Sequence, residues 1–256
     1  MFTDRTALTS RAYSEQGPLA ARLAIYDYQR DRVDLPGVAV AALADVRGTV
    51  LDAGCGLGTY VRRLRDERPD LDVLPLDLSA GMGPEVVGDI QALPLADGSV
   101  DAALAMHMLY HVPDIELAAR ELRRVVRPGG VLLASTNAAD DKAEVGELWG
   151  AAVEDLTGSR PAGRYDDGRF TLDDGDLLAA AGWDVTVETW RRETVVPTVE
   201  PVVAFVDSMR GLAEAELPDG VTWPAFLDRV RARVADEVER TGAWRMHSHV
   251  GTFTCR

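Results

Sequence analysis

The sequence predicts an α/β fold built on a doubly wound, mostly parallel β-sheet. Short apolar runs alternate with stretches of helical spacing through residue 137, which is the pattern of parallel strands joined by helices. Three of the predicted strands end in a carboxylate, at Asp52, Asp77 and Asp89. Three alternating glycines lie within residues 54–58, directly after the first of these strands. A strand, a glycine turn and a helix N-terminus together form a ligand-binding corner at the carboxyl edge of a parallel sheet.

The first half of the chain contains five predicted strands, each a short apolar run bounded by turn residues. They lie at residues 49–53, 72–77, 85–89, 100–106 and 131–135. Helices are predicted where apolar residues recur every three or four positions, at residues 19–32, 38–45, 58–67 and 114–126. Asp114 is the predicted N-cap of the last helix, and Pro128 with the two glycines that follow is a strong stop signal. Residues 79–84 contain two glycines and a proline, so we expect a turn there in place of a full crossover helix.

The second half of the chain has longer helical stretches. Helices are predicted at residues 140–157, 172–181, 199–212 and 222–241, with strands at residues 183–190 and 249–256. Thr171 caps the second of these helices and Gly182 ends it. A loop rich in glycine, arginine and aspartate covers residues 157–169.

Composition excludes several classes of protein. The 27 basic and 42 acidic residues give a net charge of −15, which disfavours nucleic acid as a substrate because phosphate binding needs a basic face. Cys55 and Cys255 lie far apart without a CxxC partner, so we expect neither a disulfide framework nor a metal site. The sequence contains no long uncharged apolar run, and Asp4 and Arg5 interrupt any signal-peptide core. We therefore expect a cytoplasmic protein that does not span a membrane.

The order of four motifs resembles that of the class I S-adenosylmethionine (SAM)-dependent methyltransferases. The segment D-A-G-C-G-L-G, residues 52–58, resembles motif I of this family, and Asp77 ends the next strand. The stretch G-D-I-Q-A-L-P-L, residues 88–95, looks like the motif after strand three, and residues 113–133 look like the helix before strand five. A nicotinamide-dependent oxidoreductase is the alternative, but its glycine spacing would be G-x-G-x-x-G.

The resemblance implies a Rossmann-like, seven-stranded, mostly parallel sheet with helical cap insertions. We expect residues 1–256 to form a single methyltransferase domain. Its parts would be N-terminal lid helices (residues 1–48), a SAM-binding core (residues 49–137) and helical cap insertions (residues 138–170 and 193–245).

The resemblance also implies which residues bind the cofactor. Asp52 would offset its ammonium group, Asp77 would hold the ribose diol, and Asp89 would receive the adenine amino group. Ile90 would pack on the adenine ring. The full predicted set of cofactor-binding residues is Asp52, Gly54, Cys55, Gly56, Gly58, Asp77, Leu78, Asp89, Ile90, Met106, Tyr13 and Arg22. Tyr13 and Arg22 belong to an N-terminal segment that could fold over the cofactor, although a surface helix explains Arg22 equally well.

The segment after strand four, M-H-M-L-Y-H-V-P-D, carries the candidate catalytic residues. His107 or His111 could act as a general base for a hydroxyl or amine acceptor, or position the substrate; packing and loop hydrogen bonding are the alternative, favoured for His111. Tyr110, Trp149, Tyr165 and Trp223 are the candidate substrate-binding residues, with a core role as the alternative for the aromatics.

The predicted function is transfer of a methyl group from SAM to an O, N or C nucleophile of a small-molecule acceptor, a natural product or other metabolite, with S-adenosylhomocysteine (SAH) as product. In-line displacement depends largely on alignment of the nucleophile with the methyl group. The alternatives are a methyltransferase that modifies tRNA or rRNA and a SAM-binding protein without catalysis. The sequence leaves open whether the protein is a monomer or a homodimer.

Overall fold

A single sheet of seven strands is present in the computed structural model, which describes residues 3–161 and 169–256. The strands are β1 (Gly48–Ala53), β2 (Leu71–Asp77), β3 (Val86–Val87), β4 (Val100–Met106), β5 (Val126–Asn137), β6 (Val185–Val196) and β7 (Trp244–Cys255). Their order across the sheet is β3-β2-β1-β4-β5-β7-β6. Strands β1 to β5 pair in parallel, whereas β7 runs antiparallel to β5. The prediction of a seven-stranded, mostly parallel sheet is therefore confirmed.

Ten α-helices lie within the described residues. They are α1 (Arg5–Ala7), α2 (Gln16–Ala24), α3 (Leu35–Ala42), α4 (Thr59–Glu67), α5 (Ile115–Val125), α6 (Ala143–Thr157), α7 (Gly175–Ala180), α8 (Val199–Asp207), α9 (Arg210–Ala213) and α10 (Trp223–Thr241). The predicted cap of α5 is present, because Oδ1 of Asp114 accepts a hydrogen bond of 2.9 Å from the backbone N–H of Leu117. None of the helices in the described ranges is both long and apolar enough to cross a bilayer.

The described chain groups into two compact units. Unit 1 consists of Met1–Arg32, Asp140–Arg169 and Arg191–His249, and unit 2 consists of Val33–Ala139, Phe170–Trp190 and Val250–Arg256. Unit 2 holds β1 to β5 with their helices, and unit 1 holds α2, α6, α8 and α10.

The core of unit 2 lies on both faces of its parallel strands. Val50 of β1 packs in one buried cluster with Leu64 of α4, and Leu51 packs in another with Leu122 of α5. Alternate residues of one strand point to opposite faces of a sheet, so both faces of β1 must carry apolar residues at its centre. Each fully buried leucine contributes roughly 1.5–3 kcal/mol.

Four strands differ by two residues or more from their predictions. Strand β6 starts at Val185, not at residue 183, and continues to Val196, six residues beyond the predicted end. Strand β3 has two residues, not five, and it pairs only with the end of β2. Strand β5 starts at Val126, before the predicted residue 131, because residues 127–130 form an irregularity between the pairs Val100–Val126 and Ala102–Val131. Strand β7 starts at Trp244, not at residue 249.

Two predicted helices are interrupted. The predicted helix 199–212 is divided into α8 and α9 at residues 208–209, and the predicted helix 19–32 becomes α2 followed by the 3₁₀ turn Ile25–Tyr28. The predicted turn at residues 79–84 is present as the single 3₁₀ turn Ala80–Met82.

Candidate active site

A glycine turn joins β1 to α4. Gly54, Gly56 and Gly58 have positive φ angles of 75°, 51° and 70°, a conformation that costs other residues roughly 1–2 kcal/mol. The backbone N–H groups of Gly54 and Cys55 donate to the carbonyl oxygen of Leu76, at 2.7 and 3.0 Å. These two hydrogen bonds fix the turn to the end of β2.

Gly54 also lies against the segment that follows β4. An ideal Cβ at position 54 would lie 2.8 Å from Cγ of Met108 and 2.9 Å from its Cβ. Carbon atoms do not approach so closely, so only glycine allows this contact. The glycine turn and the segment after β4, which carries the candidate catalytic residues, are therefore in direct contact.

Asp77 is positioned by two backbone hydrogen bonds. Its Oδ2 accepts from the N–H of Gly56 at 2.9 Å, and its Oδ1 accepts from the N–H of Ser79 at 2.9 Å. Burial raises the pKa of Asp77 even though these hydrogen bonds act to lower it. Each carboxylate oxygen has a second lone pair, so both can still accept a hydrogen bond from a ligand.

Asp52 ends β1 beside the glycine turn and is 1% exposed. Neither of its carboxylate oxygens has a hydrogen-bond partner in the described part of the chain. Burial, and after it the negative charge of Asp77, raise the pKa of Asp52 to about 7. A buried polar group without a partner is costly, so this carboxylate is a site for a cationic or hydrogen-bond-donating group.

Cys55 lies within the turn and is buried. Burial first, then the charges of Asp52 and Asp77, raise its pKa to about 12. The thiol is therefore protonated at neutral pH and is not a nucleophile. Burial of the thiol fits the packing role predicted for Cys55. Its backbone N–H donates to Leu76, and its role toward the cofactor stays a prediction.

The remaining predicted cofactor residues on this side of the sheet follow β2 and β3. Asp89 is half-buried and its Oδ1 accepts from the backbone N–H of Gln91 at 2.9 Å. Ile90 is buried in the core cluster of α5, and Leu78 is half-buried. The short strand β3 lies in the segment between Asp77 and Asp89. The roles of Leu78, Asp89 and Ile90 toward the cofactor stay predictions.

His107 has an unusual backbone conformation directly after β4. Its φ angle is +54°, which is uncommon for a residue other than glycine and is a form of strain found at functional sites. Its backbone N–H donates to Oγ of Ser135 at 2.9 Å and to the carbonyl oxygen of Ser135 at 3.0 Å. Ser135 is fully buried on β5. These two bonds hold the left-handed turn at His107. The sequence indicated neither this turn nor a role for Ser135.

The other predicted residues of this segment lie close to His107. The ring of Tyr110 lies edge-on to His111 at a centroid distance of 4.6 Å and lies 6.5 Å from the ring of His107. The two histidines and the tyrosine thus form one polar aromatic group. Met106, which ends β4, is buried in the cluster of β1 and α4.

Tyr13 and Arg22 contact each other in unit 1. Nη1 of Arg22 donates to the hydroxyl of Tyr13 at 3.1 Å, and Nη2 donates to the carbonyl oxygen of Ser208 at 2.8 Å. Both residues thus have partners within their own unit. Their predicted contact with the cofactor stays a prediction.

The candidate substrate residues of unit 1 are buried. Trp149 packs against Trp223 at a ring-centroid distance of 5.8 Å and against Phe226 at 4.4 Å. Nε1 of Trp223 donates to Oδ1 of Asp207 at 2.8 Å. These contacts correspond to the core role that was the alternative for the aromatics. Tyr165 lies outside the described residues.

Two histidines on β7 have carboxylate partners. Nδ1 of His247 lies 2.5 Å from Oε1 of Glu144, and Nδ1 of His249 lies 2.6 Å from Oδ1 of Asp140. In the described ranges, no group of three or more histidine, cysteine, aspartate or glutamate residues is arranged to hold a metal ion.

Comparison with known proteins identifies the family. The family described as "Methyltransferase domain" matches residues 51–134, which include the end of β1, the glycine turn, β4 and most of β5. The chain is 31% identical over 207 residues to a malonyl-[acyl-carrier protein] O-methyltransferase of Pseudescherichia vulneris, and the match covers 75% of this chain and 74% of that protein.

The chain belongs to the class I SAM-dependent methyltransferases. Its fold is similar to that of the YcgJ protein from Bacillus subtilis, with a TM-score of 0.54, 18% identity and coverage of 86% of this chain and 96% of that chain. It is also similar to Haemonchus contortus phosphoethanolamine N-methyltransferase 2 in complex with SAM, with a TM-score of 0.56 and 15% identity. That match covers 100% of this methyltransferase and 59% of the other chain.

SAM is the cofactor of this methyltransferase, and the site fits it. The cofactor has an ammonium group, and Asp52 offers a buried carboxylate without a partner among the described residues. It has a ribose diol, and Asp77 retains acceptor capacity on both oxygens. The glycine turn allows the close backbone approach that the methionine portion of the cofactor needs. When bound, SAM supplies the electrophilic methyl group.

The chain itself would contribute binding and alignment. Met108 packs on Gly54, so the residues after β4 lie beside the turn that is predicted to hold the methionine portion. Ser135 fixes the backbone of His107 and with it the direction in which this segment leaves the sheet. Alignment of this kind can provide a large part of the rate enhancement in an in-line displacement.

Proposed function

We propose that this methyltransferase acts on a carboxylate oxygen of a small acyl group, of the malonyl type, held on a carrier. The supporting observation is the similarity to the malonyl-[acyl-carrier protein] O-methyltransferase of Pseudescherichia vulneris, which covers 207 residues. The match to the methyltransferase family covers only residues 51–134. The similarity to the malonyl-[acyl-carrier protein] O-methyltransferase is more than twice as long, which supports a relationship beyond the core that is common to the family.

A carboxylate acceptor removes the need for a general base. Carboxyl groups have an ordinary pKa of about 4, so the nucleophilic oxygen is already anionic at neutral pH. In this proposal His107 and His111 position the acceptor by hydrogen bonds and Tyr110 forms a wall beside them. A hydroxyl or amine acceptor would instead require one of the histidines to remove a proton.

The net charge of −15 argues against nucleic acid as the acceptor. Phosphate neutralisation supplies most of the affinity of proteins for RNA and DNA, and an acidic chain repels them. The proposal also includes a cytoplasmic location, which is consistent with the free thiols of Cys55 and Cys255.

The experiment measures transfer of isotope-labelled methyl from SAM to a malonyl thioester, on acyl-carrier protein and on coenzyme A. We expect a labelled methyl ester that mild alkali hydrolyses. An acetyl thioester is the matched control, because it lacks the free carboxylate and should give no labelled product. Binding of SAH without any labelled ester would show that the acceptor class is wrong, while the assignment to the methyltransferase family would stand.

The pH dependence of turnover separates the carboxylate from other acceptors. At saturating SAM, a carboxylate acceptor predicts a turnover number that does not fall with the protonation of a histidine between pH 8 and pH 6. A base-dependent acceptor predicts a roughly tenfold loss for each pH unit below the pKa of the base.

A further inference from the structure

The carboxyl group of Asp52 is enclosed by groups that do not neutralise it. It is 1% exposed, and both of its oxygens lack a hydrogen-bond partner among the residues that the structure describes. Its neighbours at the cofactor site carry negative or neutral groups. A buried ion without a counter-charge is expected to take up or lose a proton and become neutral.

Three titratable groups interact with Asp52 from the surrounding elements. Asp77 at the end of β2 is the charged group that acts on it. Asp52 in turn acts on the thiol of Cys55 in the glycine turn and on the hydroxyl of Tyr60 at the start of α4, and it raises the pKa of both. All three partners are acids, so each of them would add negative charge if it ionised, and none can stabilise a carboxylate at Asp52.

We propose that in weakly acidic solution Asp52 is a neutral carboxylic acid in the ligand-free protein and releases its proton when the ammonium group of SAM or SAH binds. The O–H bond of the carboxyl group breaks and the proton passes to the solvent. The ammonium group keeps its three protons, and the new carboxylate accepts hydrogen bonds from it. This inference depends on the SAM cofactor and is independent of the acceptor proposed above.

Asp77 does not need the same step, because its surroundings differ. Two backbone N–H groups, of Gly56 and Ser79, donate to its carboxylate. Burial raises the pKa of Asp77, but these hydrogen bonds favour its charged form and oppose that effect, whereas Asp52 has no such bonds within the described ranges. The two acidic side chains at this edge of the sheet thus have different tasks: Asp77 offers a fixed acceptor to a diol, and Asp52 changes its charge when a cation arrives.

The coupling makes cofactor affinity depend on pH. Burial and the charge of Asp77 raise the pKa of Asp52 to about 7, and the ammonium group lowers it in the complex. Below pH 7 binding must first remove the proton, whereas above pH 7 the carboxylate is already present. The affinity for SAH should therefore weaken about tenfold between pH 8 and pH 6.

Titration calorimetry with SAH tests the proposal without an acceptor. Binding is measured at pH 6 and at pH 8.5 in buffers of different ionisation enthalpy, so that the heat reports the number of protons released. We expect close to one proton at pH 6 and few at pH 8.5. The control variant is Asp52→Asn, which keeps the size of the side chain and removes its titration. SAH binding to this variant at pH 6 should lack the proton release that is expected for the unchanged protein.

A second ligand keeps the test decisive if Asp52→Asn binds too weakly. Methylthioadenosine has the adenine and ribose of SAH but no ammonium group, so its binding to the unchanged protein should release no proton. Equal proton release with SAH by the unchanged protein and by Asp52→Asn would contradict the proposal, and so would equal release with SAH and methylthioadenosine. Absence of SAH binding would contradict the cofactor assignment itself.

Discussion

The backbone N–H of Gly56 donates a hydrogen bond of 2.9 Å to Oδ2 of Asp77. This bond connects the middle of the glycine turn after β1 with the carboxylate that ends β2. Gly54 and Cys55 reinforce the connection through the carbonyl oxygen of Leu76. The residues predicted to hold the methionine portion and the ribose of the cofactor therefore form one hydrogen-bonded unit, and a change at Asp77 should affect both contacts.

Replacement of Asp77 by alanine tests this unit. We expect Asp77→Ala to weaken SAH binding by at least ~1.5 kcal/mol, through loss of hydrogen bonds to the ribose and of support for the turn. Calorimetry measures the change. The matched control is Asp72→Ala on the same strand, because Asp72 is exposed and should leave affinity unchanged. Equal affinities for Asp77→Ala and the unchanged protein would remove Asp77 from the site.

Two glycines with the same backbone angle separate strain from collision. Gly54 and Gly129 have φ angles of 75° and 76°, but an added Cβ would strike Met108 at position 54 and would meet no atom within 4 Å in the described chain at position 129. We expect Gly129→Ala to cost ~1 kcal/mol of unfolding free energy and leave SAH binding intact. Gly54→Ala should cost more and also weaken SAH binding, as urea unfolding and calorimetry would show. SAH binding by both variants as tight as that of the unchanged protein would show that the contact between Gly54 and Met108 does not support the cofactor site.

The left-handed backbone of His107 should make the stability of its variants depend on the residue that replaces it. Glycine adopts a φ of +54° without strain and alanine does not. His107→Gly should therefore have a free energy of unfolding about 1 kcal/mol higher than that of His107→Ala. Both variants should lose turnover with little change in SAH affinity, because both lack the imidazole. Unchanged turnover in both would leave alignment without His107 as the mechanism.

Ser135, on the neighbouring strand β5, supports the backbone of His107. Its Oγ accepts from the N–H of His107, so Ser135→Ala should destabilise the unchanged protein more than it destabilises His107→Gly, which does not need support for the turn. A double-mutant cycle on unfolding free energy measures this coupling. Additive effects would show that Ser135 acts independently of the turn.

The stability of the ligand-free protein should also respond to Asp52. The pKa of Asp52 is raised from 3.8 to about 7 in the folded state. A group of this kind contributes stability that is fully present below its unfolded pKa and is lost as pH rises through its folded pKa. The cost is up to ~4 kcal/mol above pH 7. Asp52→Asn should therefore gain stability relative to the unchanged protein as pH rises from 4 to 8, and thermal unfolding at both ends measures it. A constant difference would show that Asp52 is ionised throughout.

The strands and the glycine turn that carry the predicted cofactor residues could be predicted because their signals are local. Glycines at positive φ, a strand that ends in Asp52 and another that ends in Asp77 are each visible within a few residues. Strand β4 and the cap of α5 at Asp114 were predicted for the same reason. The order of these local signals was enough to indicate the fold.

Other features depend on residues far apart in the sequence. The bond between His107 and Ser135 joins neighbouring strands 28 positions apart, and no local pattern reports it. Strand β7 starts at Trp244, shortly after the long helix α10. This start depends on the neighbouring strands of the sheet, β5 and β6, and not on a local pattern. Trp149 and Trp223 lie 74 positions apart yet pack together, and sequence spacing alone does not separate a core pair from a substrate wall.

The most direct test of the account is a crystal structure of the protein with SAH. We expect the ammonium group of SAH at the carboxylate of Asp52, the ribose diol on Asp77 and the adenine edge at Asp89, with the thioether sulfur directed toward the segment that carries His107. SAH bound at another edge of the sheet, or bound there without contacts to Asp52 and Asp77, would contradict the account.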